Sequence, residues 1–301
     1  MAHEAAKYLD PKTLNKIGSL DLKARLIVEG FISGQHRSPY HGFSVEFAEH
    51  REYTLGDDLK HLDWKVLGKT DRLYIKQYEE ETNLRSFFLI DGSESMKYAS
   101  PGNISKLEYA KYIVASLAHM LIRQQDSVGV VVFDNKIRKF IPASASPAHQ
   151  RLLLHELNQI TPEERTDTGS IFHDLAERIR RKGLVVILSD LFDDPEKLIH
   201  GLQHFRHRRH EVIVFHLLDD FEINFPFNDL TLFEGYEGWK PLNCDPRALK
   251  KGYLDEYNNF TEKMKRGCRN NKIDFQQVNT KNPLDAVLST YLATRMRSKF
   301  K

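Results

Sequence analysis

Three oxygen-bearing side chains stand at alternate positions in Asp91-Gly92-Ser93-Glu94-Ser95-Met96, directly after the apolar run Phe87-Phe88-Leu89-Ile90. A loop leaving a strand can turn Asp91, Ser93 and Ser95 toward one point. Two more oxygen clusters follow: Thr166-Asp167-Thr168-Gly169 before a helix-like segment, and Ser189-Asp190 after Leu184-Val185-Val186-Ile187-Leu188. None of these residues offers sulfur or imidazole. Hydroxyls with a few carboxylates suit a hard cation that takes six oxygens at about 2.1 Å, namely Mg²⁺ or Mn²⁺. So few anionic ligands leave positive charge uncancelled and one position open for an incoming carboxylate or water. A plainer account, strand-end turns with helix caps, covers each Asp and Ser singly. The second serine with the downstream Thr166 and Asp190 favours the cation.

The elements that must position these side chains are legible from periodicity. Continuous apolar runs at 87–90, 128–133, 184–188 and 212–217 suit strands buried on both faces of a parallel sheet, with another strand at 273–278. Between them lie helical patterns. Ser105-x-x-Glu108 offers a capping box ahead of Leu107, Ala110, Ile113, Val114, Leu117, Ala118 and Leu121, and further helices are expected at 147–157, 171–181, 195–205, 253–268 and 283–297. Strands alternating with helices imply an α/β fold, a mostly parallel sheet flanked by helices. In such sheets ligands bind at the carboxyl ends of the strands, where all three oxygen clusters fall.

Two regions break the alternation. Residues 1–80 begin with a helical stripe after Asp10-Pro11 and turn irregular from Gly30, and are expected to pack on the α/β domain of residues 81–301. Within that domain, residues 219–246 read as a small inserted β segment whose Phe233, Tyr236 and Trp239 suit packing. The cluster Asp57, Asp58, Asp63 fits a turn and an anchor for the N-terminal region better than a second metal site. Arg206-His207-Arg208-Arg209-His210 fits a solvated loop opposite the metal better than a nucleic-acid contact.

Composition narrows the class of function. A formal net charge of +2 gives no field that would draw nucleic acid. Cys244 and Cys268 form no Cys-x-x-Cys pair, so neither a zinc ribbon nor a redox motif is supported. No apolar run approaches the ~20 residues needed to span a bilayer, and the expected location is cytoplasmic. There is no P-loop, no second aspartate at position 93 for an aspartyl phosphatase, and no Gly-x-Ser-x-Gly elbow around Ser93. His210 and His216 read as structural.

Asp91-x-Ser93-x-Ser95 with a later Thr and Asp resembles the metal-ion-dependent adhesion site of von Willebrand factor A domains. The resemblance extends further. Glu52-Tyr53-Thr54-x-Gly56-Asp57-Asp58, His61-Leu62-Asp63-Trp64-Lys65, Lys76-x-x-x-Glu80 and the closing Tyr291-Leu292-x-x-Arg295 look like the bacterial family called domain of unknown function 58. It implies a von Willebrand factor A-like (Rossmann-like) fold and metal ligation by Ser93 and Ser95 directly, with Asp91 and Asp190 acting mainly through water. The family-like Thr-x-apolar-Gly pattern selects Thr166. Thr168 occupies the apolar position and stays open as a substitute, and Glu164-Arg165 stand where the family has Gly-Gly.

Two functions follow. In the first, the chain is a metal-dependent protein-binding module rather than an enzyme, taking a client's carboxylate at the open position. Family resemblance makes its partner a MoxR-type AAA+ ATPase. In the second, it is a Mg²⁺- or Mn²⁺-dependent hydrolase such as a phosphoesterase, which needs a second carboxylate or a base near the ion, with Asp134, Asp167 and Asp193 as the candidates.

Overall fold

The structure, a computed structural model, describes residues 11–35, 50–52, 74–76, 84–163, 168–235, 241–284 and 287–289. The chain divides into two compact units, residues 1–36 with 84–301, and residues 37–83. In the smaller unit β1 (His50–Glu52) pairs antiparallel with β2 (Tyr74–Lys76). The Asp57, Asp58 and Asp63 cluster and the closing 291–295 motif lie outside the described residues.

The larger unit opens with helices α1 (Pro11–Asn15) and α2 (Leu20–Gln35). It continues β3 (Arg85–Asp91), α3 (Lys106–Arg123), β4 (Ser127–Phe133), β5 (Ile137–Ser144), α4 (Pro147–Asn158), α5 (Thr168–Arg178) and β6 (Leu184–Ser189). Then come α6 (Pro195–His207), β7 (Glu211–Leu218), α7 (Asp220–Asn224), β8 (Thr231–Phe233), β9 (Leu242–Cys244), α8 (Pro246–Asn270) and β10 (Asp274–Asn279). Among the described residues no helix is long and apolar enough to cross a membrane.

Six strands form one sheet in the order β10-β7-β6-β3-β4-β5, parallel except for β5 at one edge. This is the α/β architecture that the alternating pattern implies. From β3 the chain runs outward through β4 and β5, then returns to the other side of β3 as β6. The strand order therefore reverses between β3 and β6. At such a switch point the loops leave in opposite directions and open a crevice at the carboxyl ends, and Asp91 and Asp190 stand on its two sides.

Successive side chains of the strands go to opposite faces. Phe88 and Ile90 of β3 pack with α3, while Phe87 and Leu89 pack with α5 and α6. The central helix α3 is buried over most of its length, with Tyr109, Tyr112, Ile113, Val114, Leu117 and Leu121 all at 0% exposure. A helix so enclosed leaves its first turn little freedom, which fixes the loop before it.

Three elements depart from the sequence reading. Residues 134–146 carry no regular apolar pattern, yet they contain β5. Its alternation is weak because it is an edge strand, and Pro142 is tolerated there for the same reason. Helix α8 starts at Pro246, seven residues before the expected Tyr253, because Asp245 caps it by accepting from the Arg247 amide at 3.0 Å. At α3 only half of the capping box forms: Ser105 Oγ accepts from the Glu108 amide at 3.2 Å, while Glu108 reaches Lys111 at 2.7 Å. The expected insertion is the β8–β9 hairpin, with Phe233 packed on Phe225 and Phe227.

Candidate metal centre

The apolar run of β3 buries its last residue completely, so Asp91 ends the strand at 0% exposure. The ladder continues one step further, with the Gly92 amide donating to Phe133 O at 2.7 Å. A Cβ at position 92 would meet Arg138 Nη1 at 3.1 Å and Val132 Cγ1 at 3.2 Å, which favours glycine here. The chain then folds back on Asp91, whose Oδ1 accepts from the Ser93 amide at 3.0 Å. A 3₁₀ turn over Glu94–Lys97 follows and sets the Ser93 and Ser95 hydroxyl oxygens 3.0 Å apart.

The β6 side closes on the same point. Ser189 Oγ donates to Asp91 Oδ2 at 2.5 Å and accepts from the Leu191 amide at 2.9 Å. Leu191 takes a left-handed backbone (φ 54°) while fully buried, which turns the chain sharply after Asp190. Asp190 O is held by His216 Nε2 at 3.0 Å from β7. His216 is thus structural, as its strand context suggests, and its ring pins the loop that carries Asp190.

Two charged residues that sequence reading passed over complete the site. The Lys106 ammonium, 1% exposed at the start of α3, donates to Asp190 Oδ2 at 2.8 Å and to Glu222 Oε1 at 2.7 Å. Asp190 Oδ1 is buried with no full hydrogen bond. Nearby, Asp219 caps α7 and accepts from the Ser100 amide and hydroxyl at 3.0 and 3.1 Å, tying the Ser93 loop to the end of β7.

Burial, then the neighbouring Asp190 charge, raises the Asp91 carboxyl to about 7, against hydrogen bonds from Ser189 and Ser93. Burial would raise Asp190 as well, but the Lys106 charge and hydrogen bond, with help from the Ser95 hydroxyl, hold it below its ordinary value. Lys106 itself is depressed by burial and more than restored by Asp190 and Glu222. Asp190 therefore carries its charge paired, while Asp91 is a buried carboxylate supported by neutral donors.

Asp91, Ser93, Ser95 and Asp190 come together at one point of the crevice. Thr166 and Asp167 lie outside the described residues, as does the side chain of Thr168 at the start of α5. Of the other carboxylates considered, Asp134 is fully buried, with Oδ1 accepting the Lys136 amide at 3.1 Å and Oδ2 3.5 Å from Arg138 Nε. Asp193 accepts from the Asp194 amide at 2.7 Å. His210 is buried rather than solvated, bonding Ile179 O at 2.8 Å, because its amide donates to Phe205 O at 3.0 Å and its ring lies against Phe205.

Among the described residues no three His, Cys, Asp or Glu side chains converge as metal ligands. The donors gathered here are hydroxyl and carboxylate oxygens, a set that suits Mg²⁺ or Mn²⁺. The residues present fit such an ion: two adjacent hydroxyls, a buried carboxylate oxygen without a full partner, and a second carboxylate whose burial opposes its charge. Lys106 and Glu222 escaped sequence reading because a Lys in a first helical turn and a Glu in a short loop helix are ordinary surface residues.

Comparison with known proteins places these residues in a wider set. Residues 49–258 match the model of the family described as "Protein of unknown function DUF58". The uncharacterized protein Rv1480 of Mycobacterium tuberculosis is 25% identical over 249 residues, covering 81% of this chain and 77% of the relative. The uncharacterized protein Mb1516 of Mycobacterium bovis matches to the same extent, 25% over 249 residues. Among solved structures, the conserved hypothetical protein BatB from Bacteroides thetaiotaomicron superposes with a TM-score of 0.46 at 15% identity, over 71% of this chain and 99% of its own. The SpRpn10 VWA domain does so with a TM-score of 0.34 at 16% identity, over 44% of this chain and 75% of its own.

Proposed function

This chain belongs to the DUF58 family, and on that footing we propose that it is a protein-binding module whose grip depends on Mg²⁺ or Mn²⁺ at the Asp91, Ser93, Ser95 and Asp190 site. The observation that supports this reading best is the pairing of two buried carboxylates at the ends of adjacent strands, beside serine hydroxyls 3.0 Å apart. A bound ion would supply uncancelled positive charge and an open position for a partner's carboxylate. The chain's own residues do the rest. Ser93 and Ser95 offer neutral oxygens, Ser189 and the Ser93 amide orient Asp91, and His216 pins the Asp190 loop. Thr166, outside the described residues, is the proposed further ligand.

The partner follows from the family resemblance: a MoxR-type AAA+ ATPase, with the module presenting a client protein that offers a carboxylate. Co-purification of such an ATPase with tagged protein tests this. Capture in Mg²⁺ that is lost in EDTA and in Asp91→Ala supports the reading, and capture unchanged by either overturns it. Assay of purified protein with Mn²⁺ against generic phosphate and ester substrates completes the test. Turnover above an Asp91→Ala control would put a hydrolase in place of the binding module.

A further inference from the structure

Lys106 stands where physical chemistry disfavours a cation. It is the first residue of α3, and the unpaired amides of a helix N-terminus carry partial positive charge that repels an ammonium. It is also almost wholly buried at 1% exposure, which strips its hydration. Two carboxylates from different loops hold it nonetheless, Asp190 after β6 at 2.8 Å and Glu222 in α7 at 2.7 Å.

One of those carboxylates belongs to the candidate metal site, and the Lys106 ammonium occupies its Oδ2. Asp91 is treated differently, since its two hydrogen bonds come from a neutral amide and a neutral hydroxyl. The site therefore already contains one fixed cation, and that cation sits on one of its two carboxylates. We propose that Lys106 is a built-in competitor for the divalent ion: its ammonium holds Asp190 Oδ2 and sets the site's cation affinity low.

This inference rests on the metal-dependent binding reading above and names the residue that tunes it. Two like charges within one water-poor site repel strongly at the low effective dielectric there. A divalent ion entering beside Ser93 and Ser95 must either draw Asp190 from Lys106 or accept the ammonium as a neighbour. Both weaken binding, so the site needs more cation to load, and another carboxylate, such as a partner's, tightens it by adding negative charge. A purely structural Lys106, by contrast, would make the site worse when removed.

The test is Mn²⁺ titration by calorimetry at fixed neutral pH of wild type, Lys106→Met, the double variant Lys106→Met/Glu222→Gln, and Asp91→Asn. The double variant removes one charge of each sign, so it keeps the net charge of the site and guards against the single variant failing to fold. Circular dichroism establishes folding in each case. Affinity at least about tenfold tighter in whichever Lys106 variants fold, with no binding in Asp91→Asn, supports the proposal. Binding in wild type that is unchanged or weakened in folded Lys106 variants overturns it and leaves the metal reading intact. Binding in neither wild type nor the Lys106 variants overturns both, whereas binding that emerges only in the Lys106 variants supports both.

Discussion

The Ser189 hydroxyl, closing β6, donates to Asp91 Oδ2 at the end of β3 at 2.5 Å and accepts the Leu191 amide at 2.9 Å. One oxygen thus orients a candidate metal ligand and satisfies a buried amide in the loop that carries another. Ser189→Ala would remove both bonds and leave the Leu191 amide without this acceptor. The expected loss of stability is on the order of 1–3 kcal/mol by urea denaturation. A loss within about 0.5 kcal/mol, the range of an ordinary surface change, would show that the bridge is not holding the two strands' loops together.

On the proposed metal reading Ser93 and Ser95 supply neutral oxygens to the ion, so their replacement should abolish ion binding with little cost to the fold. A ligand that binds only the folded protein stabilises it by about 2.7 kcal/mol at a hundred times its Kd. Wild type is expected to gain stability as Mn²⁺ is raised, and Ser93→Ala and Ser95→Ala are not. Equal stabilisation of wild type and Ser93→Ala would remove this serine from the site.

Two buried groups give opposite dependences on pH. Burial lowers His216 to about 4, against the pull of Asp190, from an ordinary 6.5. As pH falls from 6.5 toward 4 the unfolded chain takes a proton that folded His216 refuses, so stability is lost, by up to about 3 kcal/mol. Asp91, raised to about 7 by burial and by Asp190, takes up its proton in the folded state first, so the same acidification adds stability. Phenylalanine at 216 would sit among Phe260 and Phe275, whose rings lie 5.8 and 5.7 Å from the imidazole. Relative to wild type, His216→Phe should gain about 2–3 kcal/mol between pH 7 and pH 4.5, measured by denaturation at each pH. Parallel curves for the two proteins would contradict a buried neutral His216.

Helices α5 and α6 cross where both are smallest. A Cβ at Gly201 would meet Gly169 O at 2.9 Å and Phe172 Cβ at 3.0 Å, a backbone atom and a core side chain that cannot step aside. Gly201→Ala is expected to cost about 1–3 kcal/mol. Gly252, exposed in α8 with nothing within 4 Å, is the contrast. There Gly252→Ala should stabilise by up to about 1 kcal/mol, because it reduces the freedom of the unfolded chain. Equal melting shifts in the same direction would refute the close crossing.

Much was legible along the chain because it depends on near neighbours. The run 87–90 had to be a buried strand, since continuous apolar residues need cover on both faces, and Asp91-x-Ser93-x-Ser95 had to leave its end. Ser189-Asp190 after β6 was visible for the same reason, as was the family resemblance that joined the two. Edge strand β5 was not, because most of its residues are only partly buried and its apolar residues Ile137, Phe140 and Ile141 do not alternate.

Only the tertiary structure decided how charge is balanced around those oxygens. Lys106 reads as a solvent-facing lysine in a first helical turn, and Glu222 as a loop residue 116 positions away. Their meeting over Asp190 depends on strand order, which sets β6 between β3 and β7. Electrostatic energies depend on distance and on exclusion of water, and no local pattern in the sequence encodes either. The sequence determined which oxygens the site offers; folding determined that one of its carboxylates already holds a cation.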